Sequence, residues 1–274
     1  MRKVLIISIL IALSSCKKND LTIMNLNNNR IDVLGHAGMG ISSIYPINSM
    51  ESLLSCINSG ANGTELDIQL SKDNILVAFH DENLNEKSNL SGRIRDLTWD
   101  ELSNGYYTST QYLNYKIVRV SDLFDHVNNY QNYIFTFDIK LFPKQGEDFN
   151  QYLDDYTDAV SLLYSDYQLH NSTFIEAQAE DFLIMMQLKD GLIKQFIYPQ
   201  VFETGYSIAQ NLNLYGITIS NENISSDQVK IAHDSGYFMT IWGVNTNKEN
   251  KNAVSKNPDM IQTDKLNHLI SYLE

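Results

Sequence analysis

Eight short apolar runs alternate with longer amphipathic stretches along this chain, and that alternation limits the possible folds more than any other feature. The apolar runs predict strands at 31–36, 63–70, 133–139, 172–177, 192–198, 214–219, 237–242 and 259–263. Helices are predicted between most of them at 48–59, 147–168, 179–189, 202–211, 225–235 and 247–256, and after the last strand at 264–273. Strands that alternate with helices in this way form parallel βαβ units.

Eight such units favour a closed (β/α)8 barrel, an α/β fold that typically takes about 250 residues. A doubly wound open sheet is the alternative, although no Gly-rich phosphate loop follows a predicted strand, which weakens its dinucleotide-binding form. A polar segment rich in Tyr and Asn, at about 81–119, interrupts the alternation. Within it, Thr98 and Glu101 have the spacing of a capping box for one short helix. We therefore predict a TIM barrel with a small insertion after its second strand.

The first 30 residues are expected to lie outside the barrel domain, which would span 31–274. Residues 1–15 carry a basic start and then a ten-residue apolar run, too short to cross a bilayer and typical of a secretory signal. The run ends in Leu-Ser-Ser before Cys16, which resembles a bacterial lipoprotein signal with Cys16 as the lipidated residue. An ordinary cleaved signal with a chance cysteine is the alternative. Residues 16–30 are polar and predict a tether, so we expect a membrane-anchored lipoprotein of the cell envelope, either periplasmic or surface-exposed.

Composition excludes several classes of protein. A net charge of −13 argues against nucleic-acid binding, because it repels phosphate backbones. A hydrophobic content of 43% with 19% charged residues excludes a disordered chain. Two cysteines cannot form a disulfide scaffold in a chain of this length. The second of them, Cys56, lies in an amphipathic helical pattern and is expected to pack in the core.

Carboxylates fall on two of the predicted strands in a pattern that suggests a metal site. Glu65 and Asp67 lie two residues apart on the second strand, and Asp138 and Lys140 lie two apart at the end of the third. Positions two apart share a face of a strand, and barrel chemistry gathers where the strands end. Oxygen ligands favour the hard cations Ca²⁺ or Mg²⁺. Lys140 could hold a phosphate or position a carboxylate. The alternative is that these are ordinary loop charges.

Two histidines differ from the other four because each stands where an apolar run passes into a loop. His36 follows the first predicted strand, and His80 follows the run 75–79. Imidazole titrates near neutral pH, so a pair of histidines beside a metal and a phosphate can act as a general acid and a general base. Three further residues at strand ends are candidates for substrate binding, namely Glu176, Gln178 and Trp242.

Together these residues resemble the glycerophosphodiester phosphodiesterase family over about 31–270. The matching motifs are Gly35-His36 with Pro46 and Asn48 downstream, then 60–67, 72–74, 77–81, 92–98, Asp138-Ile139-Lys140, 242–245 and 258–264. The most specific of them is the Glu-x-Asp at 65–67 followed thirteen residues later by His80-Asp81.

The resemblance implies a barrel enzyme that holds a divalent cation with Glu65, Asp67 and Asp138. It implies that His36 and His80 are the acid–base pair, with Lys140 supporting the phosphate or a ligand. The implied substrates are small diesters such as glycerophosphocholine or glycerophosphoethanolamine, cleaved to glycerol 3-phosphate and an alcohol. Attack by the substrate's own glycerol hydroxyl, through a cyclic phosphate, is a second route.

The chain departs from the family pattern at three positions. Ala37 stands where the family has an Arg that binds phosphate, Asp138 where it has Glu, and Ile47 where it commonly has Glu. An arginine fork makes bidentate contacts that alanine cannot replace. Three arginines of the insertion are candidates for the missing charge, namely Arg93, Arg95 and Arg119.

Two alternative functions follow from these departures. Sphingomyelinase D-like phospholipases, which lack that Arg, suggest a lyase acting on lysophospholipids, and the anchored chain would find such lipids at a membrane. The other alternative is a ligand-binding homologue that has lost turnover.

Overall fold

Ten strands are present in the computed structural model, which describes residues 21–109 and 115–274. Their bounds are β1 Asp32–Gly35, β2 Gly63–Leu70, β3 Leu76–Ala78, β4 Val118–Arg119, β5 Ile134–Ile139, β6 Thr173–Ala177, β7 Gln195–Ile197, β8 Gly216–Ser220, β9 Phe238–Val244 and β10 Met260–Thr263. Eight of them form a closed parallel barrel in the order β1, β2, β5, β6, β7, β8, β9 and β10. The barrel closes because β1 pairs with β10 on one side and with β2 on the other. This confirms the predicted (β/α)8 barrel and excludes the open sheet.

The helices of the described residues mostly follow the barrel strands, as the alternation predicts. Their bounds are α1 Met50–Asn58, α2 Trp99–Leu102, α3 Val120–His126, α4 Phe149–Tyr167, α5 Glu180–Lys189, α6 Phe202–Leu212, α7 Ser226–Asp234, α8 Asn247–Val254 and α9 Leu266–Leu273. Seven of them lie within three residues of the predicted bounds at each end, and α2 begins after Thr98 in the predicted capping box. The helix α3 was not predicted.

The main core lies between the barrel wall and the surrounding helices. Side chains that point out of the strands, such as Phe135 and Phe137 of β5, are fully buried there. The ring of Phe137 packs edge-on against Tyr164 of α4, with the ring centroids 6.0 Å apart. Cys56 of α1 is also fully buried, as predicted from its amphipathic pattern.

The barrel interior is crossed by hydrogen bonds from the last strand. Gln262 of β10 donates from Nε2 to Thr136 Oγ1 of β5 at 3.0 Å and to both carboxylate oxygens of Glu176 of β6 at 2.9 Å. Since β10 pairs only with β1 and β9, these bonds pass through the interior and not along the wall. The face of each strand that carries these polar residues therefore points inward.

The insertion between β2 and β5 builds a small subdomain of its own. β3 pairs antiparallel with the second half of β2, and β4 pairs antiparallel with β3. The segment that these two short strands enclose has a separate apolar cluster, formed by Val77, Phe79, Leu84, Ile94, Leu102, Tyr107, Tyr115 and Ile117. The predicted range of 81–119 thus falls on this subdomain, although its apolar cluster begins at β3.

The segment before β1 is hydrogen-bonded to the end of the barrel that carries the N-termini of the strands, here called the base. Met24 donates its backbone N–H to Asn257 Oδ1 at 3.0 Å, and Asn25 Nδ2 donates to the carbonyl of Pro258 at 2.8 Å. Asn27 donates its backbone N–H to Asp259 Oδ1 at 3.0 Å. All three acceptors lie in the loop that leads into β10, so this part of the chain is folded against the base of the barrel.

Candidate active site

Three buried carboxylates meet inside the barrel near the ends of two neighbouring strands. Glu65 and Asp67 belong to β2 and Asp138 to β5, and one potential ligand atom of each lies within 4.8 Å of the others. Asp67 is the register partner of Asp138, which sets their side chains side by side on the inward face. The two strands are neighbours although 63 residues of sequence, 71–133, separate them, because the insertion folds outside the parallel barrel.

Lys140 lies directly after β5 and bridges two of these carboxylates. Its Nζ is 3.0 Å from Asp67 Oδ1 and 2.7 Å from Asp138 Oδ2. Burial alone would lower the pKa of Lys140, but the charges of Asp67 and Asp138 outweigh it and raise the pKa overall. The ammonium therefore stays charged and holds the two carboxylates in fixed positions.

Glu65 is the least satisfied of the three carboxylates. Its Oε2 accepts a hydrogen bond from the backbone N–H of Ala37 at 2.7 Å, whereas its buried Oε1 has no partner among the described residues. Burial first, and then the charges of Asp67 and Asp138, raise its pKa well above the usual value. An unpartnered buried oxygen beside two other carboxylates is what a site for a hard cation requires.

Asp67 is the best stabilised carboxylate. Asn48 donates from Nδ2 to Asp67 Oδ2 at 2.7 Å and accepts the backbone N–H of Asp67 at Oδ1, 3.1 Å away. Burial raises the pKa of Asp67, but Lys140, His80, Asn48 and His36 together lower it overall. Both histidines are therefore close enough to Asp67 for their charges to act on it.

Asn48 holds this position because of its backbone conformation. It has a φ of 62°, in the left-handed region that asparagine tolerates better than most residues, and it stands just before the cap of α1. Nothing local in the sequence shows that its amide would face Asp67. Asn48 stands out in the sequence only as part of the family motif.

His36 follows β1 and is held by the residue that follows β10. Its Nδ1 lies 2.9 Å from Asp264 Oδ1, and its side chain is 19% exposed. Burial lowers the pKa of His36, but the hydrogen bond and charge of Asp264 outweigh this and raise the pKa overall. Asp264 was not predicted as a site residue, because its contact with His36 spans 228 positions of sequence.

His80 lies in the insertion, two residues after β3. Its Nδ1 is 2.9 Å from Oδ1 of the adjacent Asp81, and its side chain is 48% exposed. His80 is therefore more accessible to solvent than His36.

The three predicted substrate-binding residues occupy different environments. Glu176 is buried, accepts hydrogen bonds from Thr218 and Gln262, and has a pKa raised to about 7, mainly by burial. Gln178 is exposed just after β6. Trp242 of β9 is half-buried and packs edge-on against Tyr198, with the ring centroids 5.2 Å apart. Their roles in binding stay predictions.

Two tyrosines near the carboxylates were not predicted from the sequence. Tyr198 follows β7, and burial together with the charges of Asp138, Glu176, Glu65 and Asp67 raises its pKa. Tyr107 of the insertion is buried, and its hydroxyl lacks a partner among the described residues. Burial, then the charges of Asp67 and Asp81, raise its pKa to the point that the phenol stays protonated. Both are therefore hydrogen-bond donors beside the site.

The arginines that could replace the one missing at Ala37 all have carboxylate partners elsewhere. Arg95 is buried against Glu147 and Asp155, Arg119 binds Asp122, and Arg93 binds Glu82. Ala37 itself has a φ of 47°. It donates its backbone N–H to Glu65, and its carbonyl accepts the backbone N–H of Asn48 at 3.0 Å.

The predicted lipidation site, Cys16, lies outside the described residues. Among the residues that the structure does describe, none of the helices combines the length and the apolar character needed to cross a bilayer.

Comparison with known proteins gives a consistent result. The sequence model described as "Glycerophosphoryl diester phosphodiesterase family" matches residues 39–268. A glycerophosphodiester phosphodiesterase of Bacillus altitudinis is 25% identical over 236 residues, covering 83% of this chain and 93% of the relative. One of Caldanaerobacter subterraneus subsp. tengcongensis is 22% identical and covers 86% and 95%.

Solved structures show the same fold at lower identity. A putative glycerophosphoryl diester phosphodiesterase from Silicibacter pomeroyi superposes with a TM-score of 0.77 at 16% identity, covering 89% of this chain and 93% of that one. A phosphodiesterase from Oleispira antarctica in complex with the product sn-glycerol-3-phosphate has a TM-score of 0.77 at 17% identity, with coverage of 88% and 96%.

Proposed function

Because the chain belongs to the glycerophosphoryl diester phosphodiesterase family and is thus a phosphodiesterase, we propose that it hydrolyses glycerophosphodiesters to glycerol 3-phosphate and an alcohol. The observation that carries this proposal is the buried cluster of Glu65, Asp67 and Asp138, whose potential ligand atoms lie within 4.8 Å of one another, with Lys140 bridging two of them. The product bound in the Oleispira antarctica structure supports the same product here.

The three carboxylates Glu65, Asp67 and Asp138 fit a divalent cation, Ca²⁺ or Mg²⁺, as ligands. All three donors are oxygens, and the unpartnered Oε1 of Glu65 gains a partner when a cation binds. A bound cation would polarise the phosphoryl oxygens and offset their negative charge. Lys140 would position Asp67 and Asp138 as ligands, since its ammonium contacts both.

The two histidines suit complementary proton transfers. His36, whose pKa Asp264 raises, holds a proton at higher pH than a free imidazole and would be the general acid. His80, which solvent reaches, would be the general base. In this assignment His80 takes a proton from water as the water oxygen bonds to phosphorus. The bond from phosphorus to the alcohol oxygen breaks, and His36 gives that oxygen a proton.

The other residues of the mouth would bind the substrate. Gln178 and Trp242 stand at strand ends around the carboxylates, and the phenols of Tyr198 and Tyr107 are donors for phosphate or hydroxyl oxygens. These donors are neutral, so they do not restore the charge of the arginine that Ala37 replaces. We therefore expect the phosphate to depend more on the cation here than in a chain that carries this arginine.

Phosphorus NMR on a chain that begins after Cys16 tests the proposed reaction. We expect glycerophosphocholine and glycerophosphoethanolamine to give glycerol 3-phosphate with Mg²⁺ or Ca²⁺, and none with a chelator. His80→Ala is expected to lower kcat/KM at least 100-fold, because general acid–base groups contribute about 10² to 10⁴. The matched control is His126→Ala, whose histidine lies exposed on α3 and should not affect turnover.

Other outcomes of this experiment have definite meanings. Normal activity in His80→Ala would refute the acid–base assignment. A cyclic phosphate product would show that the glycerol hydroxyl is the nucleophile, as in the lyase alternative. Absence of turnover on any diester would favour the ligand-binding homologue.

For the location of the protein, we propose a lipid anchor on Cys16 that attaches it to a membrane of the cell envelope. The proposal depends on the sequence around Cys16 alone. Cys16→Ala is expected to move the protein from the membrane fraction to the soluble fraction, because a lipid chain contributes about 0.8 kcal/mol per buried methylene. Persistent sedimentation of this variant with membranes would exclude the anchor.

A further inference from the structure

Two of the three carboxylates proposed as cation ligands are already paired with an internal cation. The ammonium of Lys140 lies 3.0 Å from Asp67 Oδ1 and 2.7 Å from Asp138 Oδ2. The other oxygen of Asp67 accepts a hydrogen bond from Asn48 Nδ2 at 2.7 Å, so both oxygens of this carboxylate are engaged. Glu65 differs, since its buried Oε1 has no partner among the described residues. A divalent cation would therefore meet Lys140 at two of its three proposed ligands.

The position of Lys140 is fixed by the backbone and by burial. Its backbone N–H donates to the carbonyl of Ile68 at 2.9 Å, which continues the pairing of β2 with β5 beyond the last residue of β5. Its side chain is 18% exposed, and those of Asp67 and Asp138 are 2% and 10% exposed. An ammonium that leaves buried carboxylates leaves their charges uncompensated, so these ion pairs resist separation.

Cation binding makes a second demand on the same oxygens. Ca²⁺ and Mg²⁺ bind carboxylate oxygens at about 2.0–2.6 Å, so a cation held by Asp67 and Asp138 would be a near neighbour of the Lys140 ammonium. Positive charges at such a short separation repel each other strongly in a buried site, where water screens them poorly. Either the ammonium leaves at least one carboxylate when the cation binds, or it stays and the cation binds more weakly.

We infer that Lys140 competes with the divalent cation for Asp67 and Asp138 and thereby lowers the affinity of the site for that cation. The inference rests on the proposed function, since it takes the three carboxylates as the cation ligands. Lys140 neutralises the carboxylates at low cation concentration, and the cation displaces it only above a threshold. The activity then follows the cation concentration of the compartment. We expect a Kd of about 0.1–1 mM for Ca²⁺, as in weak calcium-binding modules.

Isothermal titration calorimetry with Mg²⁺ and with Ca²⁺ tests this competition without a measurement of turnover. The protein is first stripped of metal with a chelator. Lys140→Gln removes the charge and keeps an amide that can donate to the carboxylates, so it is expected to fold. We expect this variant to bind both cations at least about tenfold more tightly than the wild type. Lys140→Arg keeps the charge and should remain within about threefold of the wild-type affinity.

Lys189 provides a matched control because it also bridges two aspartates. Its Nζ lies 2.8 Å from Asp154 Oδ1 and 2.6 Å from Asp158 Oδ1, and these three residues lie on α5 and α4, outside the barrel. Lys189→Gln should bind both cations with the affinity of the wild type. A general effect of removing one positive charge from this acidic protein would appear in this variant as well.

Urea denaturation supplies a second readout. With a chelator present, Lys140→Gln should be less stable than the wild type, because its carboxylates have lost their counter-charge. Mg²⁺ at a fixed concentration should stabilise the variant more than the wild type, since a more tightly bound ligand stabilises more. If Lys140→Gln is unfolded without a cation, the Mg²⁺ concentration that refolds it is measured. A midpoint at or above the wild-type Kd would contradict the inference.

The possible results separate the inference from the proposed function. If Lys140→Gln binds cations no more tightly than the wild type, Lys140 only positions the carboxylates, so the inference is wrong and the proposed function stands. Equal gains in Lys140→Gln and Lys189→Gln would also show that the inference is wrong. If neither cation binds to the wild type or to Lys140→Gln, the proposed cation site fails, and the inference fails with it. If Lys140→Gln gains affinity but no diester is cleaved, the inference stands and the proposed reaction fails.

Discussion

The two histidines of the candidate active site differ in the distance along the chain to their partner and in their exposure to solvent. His36 joins two strands of the barrel, since it follows β1 and bonds to Asp264 after β10, and its side chain is only 19% exposed. His80 stands on the insertion, bonds to its own neighbour Asp81, and is 48% exposed. A cavity of about 260 Å³, lined by residues of the loop between β1 and α1 and of the insertion, opens beside His80.

This difference suggests that the barrel and the insertion have different functions. Groups fixed by distant strands cannot relax when charge develops on them, so the barrel side is suited to proton transfer and cation binding. Groups on the insertion are exposed and change with its sequence, so that side is suited to selecting substrates. Variants placed on each side test whether their functions differ.

The largest expected effect concerns Glu176 and the stability of the metal-free protein. Burial raises the pKa of Glu176 from 4.5 to about 7 in the folded state. Between these two values the folded protein keeps a proton that the unfolded chain has lost, so stability falls as pH rises through this window. The loss, about 3 kcal/mol, is complete above pH 7.

Chemical denaturation at several pH values, with a chelator present, measures this effect. We expect Glu176→Gln to reduce the fall between pH 4.5 and pH 7 by about 3 kcal/mol, whereas the exposed Glu222→Gln should keep the whole fall. A wild-type stability that stays level or rises across this window would contradict the raised pKa.

The next effect concerns Asp264, which should matter to catalysis through His36. We expect Asp264→Asn to lower kcat/KM about 100-fold, as for other partners that orient a reactive group. Since Asp264 raises the pKa of His36, its loss lowers that pKa, and the limb of the pH profile that His36 governs moves to lower pH. A purely structural role would lower activity without moving this limb.

Asp81→Asn is the matched change on the other side and should have the smallest effect. His80 and Asp81 are both partly exposed, so water can replace the lost contact, and we expect less than a tenfold decrease in kcat/KM. Equal losses in Asp81→Asn and Asp264→Asn would show that the two histidines are held equally firmly.

The fold could be predicted from the sequence because each barrel unit has a local signature. The strand predicted at 63–70 has the same bounds as the observed β2, and the long helix α4 lies within its predicted range of 147–168. The elements that were missed are short and depend on distant partners. β3 has three residues and pairs with the edge of β2, and β4 has two residues and pairs with β3.

The site could be predicted only where sequence spacing carries the chemistry. The pairs Glu65/Asp67 and Asp138/Lys140 are visible because positions two apart share a face of a strand. Asp264 and Asn48 were missed as site residues because their contacts with His36 and Asp67 arise from barrel closure and from one left-handed residue. Tyr198 was missed because nothing near β7 indicates which carboxylates its hydroxyl faces.

The attachment of residues 24–27 to the loop before β10 would set the orientation of the molecule at a membrane in the anchored form proposed above. These residues lie at the base of the barrel, and the carboxylates lie near the opposite end of the strands. Cys16 is eight residues before Met24, a reach of at most about 28 Å when extended. A protein tethered at Cys16 would stand on its base with its mouth turned toward the surrounding water. In the proposed anchored form, dissolved diesters would therefore reach the carboxylates more readily than lipids packed around the anchor, which favours the diesterase over the lysophospholipid alternative.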